Sequence, residues 1–422
     1  MHPKSLRFLL VAAALPVLFF HVYLVGPLLW KIGNDPILSL AIAGAFVMHC
    51  WRGSGRREMA VTVALAVLLR VAYEQVIGIS SRYFGQSIVS WGSFLGIASI
   101  LVLGWRSLRE KGDAGREATS DLFAAAGFFM FWIVFDIGLA VTTISLPRTY
   151  DANLYGFDRS LGAQVGFWCG RLLPGRPVLS GITHLVYGGI ALPIAMLYAS
   201  QRCRGYAHGY KVFPLLIAAA TGGYAVYYII PATGPVFAFP GVFPLGMPPV
   251  DLGMREVVDA AHRAARNALP SLHLGAALIL YWNSREWPRA ARAALLVFLG
   301  ATAFSTLALG EHYIVDLVVA FPAMLTFHAA ATTVLPLRER ERYIPMVAGL
   351  AATVAWVCLL RFGSGLYLHW PAAVSWFLAA ATVGGASLLE TWLARRVGRF
   401  TQPPWLQESD AEPAILAGAA SR

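Results

Sequence analysis

The chain has 422 residues, of which 58% are hydrophobic and 13% are charged, and its mean hydropathy is +0.62. Soluble proteins carry roughly 25% charged residues, so this composition excludes soluble domains, disordered chains and disulfide-rich secreted modules. The formal net charge of +11 does not indicate nucleic-acid binding, because the basic residues stand in short clusters between apolar runs. That arrangement is typical of the loops of a multi-span membrane protein.

Apolar segments long enough to cross a bilayer recur along the whole chain. A transmembrane helix needs about 20 mostly apolar residues, and the sequence predicts an all-α polytopic protein with about twelve such helices. The first span follows Lys4 and Arg7 with no small-residue cleavage site, so we interpret it as a retained span and not as a signal peptide. The predicted spans are 8–30, 36–51, 59–79, 88–105, 122–146, 178–199, 212–230, 271–284, 292–310, 313–335, 343–361 and 372–393.

The side of the membrane on which each loop lies follows from Lys and Arg, because cytoplasmic loops hold the excess of these residues. One alternating set of loops holds 22 basic residues and the other holds 10, with Arg70 inside a span. This distribution predicts a protein of the inner (plasma) membrane with both termini in the cytoplasm. Two long loops, 147–177 and 231–270, then lie on the extracytoplasmic side, where long loops usually carry function. Only four of the 33 basic residues are lysines, which favours a bacterial source.

Two polar fragments at the outer ends of predicted spans carry the residues best suited to chemistry. In the second fragment, Ser305–Asp316, the side chains of His312 and Asp316 are four residues apart. We expect them to share one helix face, where the carboxylate can hydrogen-bond one imidazole nitrogen and make the other nitrogen a better nucleophile.

The first fragment, Asn267–His273, lies on the same predicted side of the membrane. His273 supplies a second group for proton transfer to a leaving oxygen. Pro270 and Ser271 open a helix, where free backbone N–H groups and the serine hydroxyl suit an anion. A nucleophile, an acid and an anion site together favour phosphoryl transfer.

The chain resembles the type 2 phosphatidic acid phosphatase superfamily in these same fragments. PSLH at 270–273 is similar to its second signature motif, and Ser305, His312 and Asp316 match the spacing of its third motif, S-R-x5-H-x3-D. Thr306 stands where that motif has arginine, and Tyr227 stands at the lysine position of the first motif. Those departures resemble the branch that contains inositol phosphorylceramide synthase, as do Gly234-Pro235 and the stretch from Tyr150-Asp151 to Asp158-Arg159-Ser160-Leu161.

The resemblance implies a role for each residue that matches a motif. His312 would be the nucleophile that forms a phosphohistidine, Asp316 would orient it, and His273 would protonate the leaving alkoxide. No metal or other cofactor is implied, and HExxH and paired acidic clusters are absent from the sequence. The phosphate-binding candidates are Ser271, Arg266, Asn267 and Gly234, and the further candidates to neutralise phosphate charge are Arg263, Arg255 and Arg159.

The resemblance covers about 121–335, which we expect to form a six-span catalytic core. A four-span accessory region at 1–120 would precede it, and a two-span region at 336–399 and a polar tail at 400–422 would follow.

The function predicted from these patterns is that of an integral-membrane lipid phosphotransferase or phosphatase acting on phosphoester lipids at the extracytoplasmic face. Its partners would be a membrane lipid donor, as in transfer of phosphoinositol or a similar headgroup, and a lipid hydroxyl or water as acceptor, with no nucleic acid. The alternative that uses water is a polyprenyl pyrophosphate or phosphatidic acid phosphatase. A twelve-span secondary transporter is less favoured, because we find only the Arg70/Glu74 pair within a span and no internal repeat.

Overall fold

The computed structural model describes residues 35–51, 54–77, 84–203, 212–248, 256–257 and 264–401. The predicted span 8–30, the tail beyond 401, and Arg255 and Arg263 lie outside the described residues. Apart from turns and loops, the described part is helical except for one short ladder, in which β1 (Arg148–Thr149) pairs antiparallel with β2 (Glu256–Val257). The prediction of an all-α protein with several apolar helices is therefore confirmed in its coarse form.

Contacts divide the chain into two compact units, the first ending at Ile133 and the second beginning at Val134. The first unit contains α1 (Pro36–Trp51), α2 (Arg56–Ile77), α3 (Phe84–Arg109) and the start of α4 (Gly112–Ser145). The boundary falls inside α4, whereas the accessory region was predicted to end at 120.

Small residues allow α1 and α3 to pack closely within the first unit. A Cβ atom on Gly96 would lie 2.1 Å from the carbonyl oxygen of Ile42, so only glycine fits this contact. The backbone N–H of Ser93 donates to the Ser39 hydroxyl at 3.2 Å, in a buried position. Close backbone approach through small residues is a usual means of packing helices in a bilayer.

The second unit contains the remaining elements, and the long helix that follows His312 lies at its centre. Of the described apolar helices that are long enough to cross a membrane, this one is the most buried, with 67% of its residues inside the protein. It packs against the two helices at the C-terminal end of the chain, so the segment predicted as a separate two-span region shares a compact unit with the histidines. The elements are α5 (Asp151–Ser160), α6 (Val165–Arg171), α7 (Pro177–Gly188), α8 (Ala191–Cys203), α9 (Val212–Ile229), α10 (Pro235–Ala238), α11 (Leu272–Asn283), α12 (Arg289–Ala308), α13 (Ile314–Ala331), α14 (Arg340–Phe362), α15 (Ser364–Tyr367) and α16 (Ala372–Thr401).

Each predicted span from 36–51 onward coincides with helix in the structure, although the span at 178–199 is broken into α7 and α8 with a bend of 40°. Within the described residues, seven helices are long and apolar enough to cross a membrane, or eight if α7 and α8 form one span. Helices α1, α2 and α11 do not meet that criterion. The total of twelve spans and the six-span core therefore remain predictions.

Candidate active site

The predicted nucleophile lies in the turn between α12 and α13. Helix α13 begins at Ile314 with Tyr313 as its N-cap, so His312 precedes the helix. The backbone N–H groups of Glu311 and His312 both donate to the carbonyl of Thr306, at 3.1 and 3.3 Å. The expectation that His312 and Asp316 share one helix face is therefore wrong, because the chain turns sharply before the helix starts.

The contacts of the His312 imidazole determine which nitrogen can react. Nδ1 lies 2.9 Å from the carbonyl oxygen of Ala268, and a carbonyl only accepts hydrogen bonds, so the neutral ring carries its proton on Nδ1. Nε2 then holds the lone pair, and it is buried with no hydrogen-bond partner in the described part of the chain. Desolvation lowers the pKa of His312 to about 4, although the bond to Ala268 acts in the opposite direction. The ring is thus neutral at pH 7, with Nε2 free to attack.

Asp316 lies beside this ring but is not its hydrogen-bond partner. Its Oδ2 atom is 3.5 Å from Nδ1 of His312, and the same oxygen accepts the N–H of Tyr313 at 2.7 Å. The carboxylate therefore caps the first turn of α13, and its Oδ1 atom has no partner among the described residues. The carbonyl of Ala268, and not Asp316, therefore accepts the hydrogen bond that orients the His312 ring.

His273, in the first turn of α11, meets His312 from another part of the chain. The two ring centroids are 6.2 Å apart. On its other side, His273 stacks on Tyr187 with a centroid distance of 3.8 Å and an interplanar angle of 19°. This spacing allows both imidazoles to face one small reacting group, because reacting atoms lie about 3–3.5 Å apart in productive complexes.

Asp151, at the start of α5, connects the loop before α10 to Tyr313, the residue after His312. It accepts hydrogen bonds from the N–H of Thr233 at 3.1 Å and the N–H of Gly234 at 2.9 Å. It also accepts the hydroxyl of Tyr313 at 2.9 Å. Asp151 is fully buried, and desolvation raises its pKa. This carboxyl group therefore positions Tyr313, and with it the adjacent His312.

Asp158, at the other end of α5, caps the N-terminus of α13. Its two oxygens accept the N–H groups of Ile314 at 2.9 Å and Val315 at 3.2 Å. An acidic side chain at a helix N-terminus is favourable because the helix dipole is positive there. Desolvation raises the pKa of Asp158 to about 8, while the two N–H donors act in the opposite direction. In the sequence, Asp151 and Asp158 stand out only within the stretch that carries the family resemblance, and neither is among the predicted site residues.

Gly234, predicted to bind phosphate, has a structural role in this geometry. Its φ angle is 97°, and a Cβ atom would lie 2.3 Å from the carbonyl oxygen of Glu311. Its N–H already donates to Asp151. Glycine is required at position 234 because its backbone lies close to the turn that holds Glu311 and His312. Its N–H is not free to bind a phosphate oxygen.

Arg266, predicted from the sequence as a phosphate-binding residue, is likewise engaged elsewhere. Its guanidinium donates to the carbonyls of Leu146, at 2.7 Å, and Ala264. The side chain is 1% exposed, and it holds the end of α4 against the loop before α11. Arg159 is exposed at the surface of α5. Neither arginine is shown bound to the histidine cluster.

Ser271 and Asn267 each keep a polar group that could bind a phosphate oxygen. Ser271 is the N-cap of α11, where its Oγ accepts the N–H of Leu274 at 3.3 Å and its hydroxyl proton remains available to donate. Asn267 is half-buried, and its amide makes no hydrogen bond within the described residues. The structure thus brings Ser271, His273 and His312 into one region, while Gly234 and Arg266 support the backbone around it.

A family model matches residues 152–330, the segment that holds both histidines, Asp158 and Asp316. The family is the PAP2 superfamily. The match supports a phosphatase or phosphotransferase that acts on lipid-type substrates, as the resemblance in the sequence implied. Neither a curated protein nor a solved structure matches the chain.

Proposed function

We propose that this protein is an integral-membrane lipid phosphotransferase or phosphatase that works through a phosphohistidine at His312. The observation that carries the proposal is the buried Nε2 atom of His312, which has a lone pair and no hydrogen-bond partner among the described residues. An unpaired polar atom is costly to bury, so it is usually kept for a functional reason. The second histidine, at 6.2 Å between ring centroids, completes a nucleophile and acid pair.

The reaction proceeds in two displacements at phosphorus. In the first, Nε2 of His312 attacks phosphorus and the bond to the leaving oxygen breaks. His273, protonated in the complex with the anionic substrate, gives its proton to that oxygen. In the second, the hydroxyl of an acceptor attacks phosphorus, the P–N bond breaks, and His273 takes the proton from the hydroxyl. The Nδ1 proton of His312 stays bonded to Nδ1 throughout and donates its hydrogen bond to the Ala268 carbonyl.

Ser271 and Asn267 are the groups that we propose to contact the phosphoryl oxygens. Ser271 lies at the N-terminus of α11, where backbone N–H groups and the helix dipole favour an anion. Asp316 stabilises the positive charge that the His312 ring acquires when it is phosphorylated, because its Oδ2 lies 3.5 Å from Nδ1.

We place the reaction at the extracytoplasmic face of a bacterial plasma membrane, with both termini in the cytoplasm. The support is the distribution of basic residues, 22 in one set of loops and 10 in the other. Headgroup transfer to a lipid hydroxyl such as that of ceramide or diacylglycerol is the proposed activity, with hydrolysis when water reaches the phosphohistidine instead.

The test is an assay of the purified protein in lipid–detergent micelles. A panel of phospholipids and prenyl pyrophosphates is supplied with and without ceramide or diacylglycerol, and both free phosphate and lipid products are measured. His312→Asn should reduce turnover by at least ~10³-fold, and His369→Asn, an exposed histidine on the same predicted side, should not. Vanadate should inhibit as a mimic of the transition state, and EDTA should not.

Turnover that survives in His312→Asn would remove the phosphohistidine from the mechanism. Inhibition by EDTA that a divalent metal reverses would move the enzyme to another class.

A further inference from the structure

Glu311, the residue before the nucleophile, is a carboxyl group that the proposed mechanism does not use. It is half-buried, while His312 beside it is 1% exposed. Its backbone is held in place, because its N–H donates to Thr306 and its carbonyl lies where a Cβ on Gly234 would clash. No hydrogen bond or ion pair engages its carboxylate within the part of the chain that the structure describes.

The carboxylate of Glu311 lies near Tyr187, which contacts the histidine cluster. It interacts electrostatically with the hydroxyl of Tyr187, and the ring of Tyr187 stacks on His273. Glu311 is therefore linked to both histidines, through the chain to His312 and through Tyr187 to His273.

The site lacks the positive charge of the resembled motifs at two positions. Tyr227 stands at the lysine position, is buried, and its hydroxyl donates to the carbonyl of Pro270 at 3.4 Å. Thr306 stands at the arginine position, is also buried, and its hydroxyl donates to Ala303 at 2.9 Å. Two cations are thus replaced by neutral side chains bonded to backbone, while the residue next to His312 carries a carboxyl group.

We propose that Glu311 is a specificity-determining residue that faces the substrate's phosphoryl group and selects phosphodiesters, with one negative charge, over phosphomonoester dianions. The inference rests on the proposed function and names its substrate class. A second negative charge on phosphorus would meet the Glu311 carboxylate with no cation from Tyr227 or Thr306 to offset it. Repulsion between two like charges held close together in a partly buried site lowers the affinity for the dianion by about 10-fold or more relative to the monoanion.

Desolvation raises the pKa of Glu311 to about 7, so the carboxyl group is ionised above neutral pH and the discrimination is strongest there. Several other titratable or charged groups surround the site and must be separated from its effect. They are His312 in the turn before α13, Asp316 in the first turn of α13, His273 on α11, Tyr187 on α7, Tyr227 on α9, Asp151 and Asp158 on α5, and Arg266. A comparison of the wild type with a Glu311 variant at each pH cancels their contribution.

The experiment measures anion binding to the purified full chain in micelles, without turnover. Sulfate, which stays a dianion from pH 6 to 8.5, and dimethyl phosphate, a monoanionic diester, are titrated, and affinity is read from the rise in thermal stability. At pH 8.5, Glu311→Gln should bind sulfate about 10-fold more tightly than the wild type, with a smaller change for dimethyl phosphate. Lowering the pH to 6 should tighten sulfate binding more in the wild type than in the variant.

The matched control is Glu341→Gln. Glu341 is also half-buried and without a described partner, but it lies in the first turn of α14 within a predicted cytoplasmic loop. The Glu341→Gln variant should bind sulfate and dimethyl phosphate with the same affinities as the wild type. Glu311→Ala provides a second variant and should also gain sulfate affinity.

Unchanged sulfate affinity in both Glu311 variants would overturn the inference and leave the proposed function intact, because the binding assay needs no reaction. The lipid assay tests the proposed function separately: a loss of all turnover in His312→Asn supports the function whatever the outcome at Glu311. In that assay, Glu311→Gln should also raise kcat/KM for phosphatidic acid relative to phosphatidylglycerol by about 10-fold.

Discussion

The hydroxyl of Tyr313 donates a 2.9 Å hydrogen bond to Asp151, a residue 162 positions earlier in the chain. Asp151 also accepts the N–H groups of Thr233 and Gly234. One carboxyl group thus joins α5, the loop before α10 and the turn that carries His312. If His312 is the nucleophile as proposed, the precision of its placement depends on this junction, because a displacement of about 1 Å can cost about 100-fold in rate.

Tyr313→Phe should remove one arm of this junction and leave the ring in place. We expect kcat to fall about 10-fold with little change in KM, since the substrate contacts remain. The free energy of unfolding should fall by about 1–2 kcal/mol. The control is Tyr367→Phe, which removes an equally buried hydroxyl whose bond goes to the carbonyl of Asn153. Equal losses of kcat in the two variants would show that the Asp151 bond has no special role.

The stability of the protein should fall as the pH rises from about 4 towards 8, because of Asp158. Its pKa is about 8 in the folded protein and about 3.9 in an unfolded chain. The folded state therefore binds more protons across this window, which makes the slope negative, at most about 1.4 kcal/mol per pH unit for one group. Asp158→Asn should flatten the slope, with Asp151 responsible for part of what remains. Denaturant unfolding at pH 5, 6, 7 and 8 measures it, and an unchanged slope in the variant would contradict the assignment.

Gly234→Ala should disrupt the turn that carries His312, because the new methyl group would meet the Glu311 carbonyl at 2.3 Å. Gly241 supplies a matched control, since its φ angle of 76° is also positive but nothing lies within 4 Å of an added Cβ. The cost of a positive φ is common to both variants and cancels. We expect at least ~10-fold lower activity in Gly234→Ala than in Gly241→Ala. Equal activity would mean that the turn tolerates the shift.

The acid limb of the pH–rate profile should lie well below the usual range for histidine. Protonation of Nε2 removes the nucleophile, and the pKa of His312 is about 4, so its loss should appear near pH 4 and not near 6.5. Single-turnover formation of the phosphoenzyme isolates this step from the acceptor. A limb near 6.5 in that measurement would show that the ring is better solvated than its burial implies.

Sidedness can be tested without any substrate. In a background that lacks Cys50, Cys169, Cys203 and Cys358, single cysteines at two exposed positions, Arg176→Cys and Glu286→Cys, are treated with an impermeant thiol reagent. The distribution of basic residues predicts that position 176 reacts in intact cells and that position 286 reacts only after lysis. The reverse pattern would place the histidines at the cytoplasmic face and change the lipid pool that they reach.

The membrane character, the helices and the two histidines could all be recognised from the sequence, because each depends on local composition or on spacing within one fragment. The relation between His312 and Asp316 could not. Their separation of four residues suggests one helix face, but a turn bonded to Thr306 sets His312 before the helix. The carbonyl that orients His312 belongs to Ala268, and a backbone carbonyl has no signature in a sequence.

The apolar runs and the distribution of basic residues in the sequence are sufficient to predict that this chain crosses a membrane many times. The reason is that each segment of about 20 apolar residues can enter the bilayer as a helix, whatever the rest of the fold. Only the tertiary structure decided which groups surround the nucleophile. Asp158 caps α13 although it lies 156 positions earlier in the chain. Position 234 requires glycine because any side chain there would clash with the backbone carbonyl of Glu311. Such contacts depend on how distant segments close on one another, and in a buried site the desolvation that follows from that closure also determines the charge state of each group.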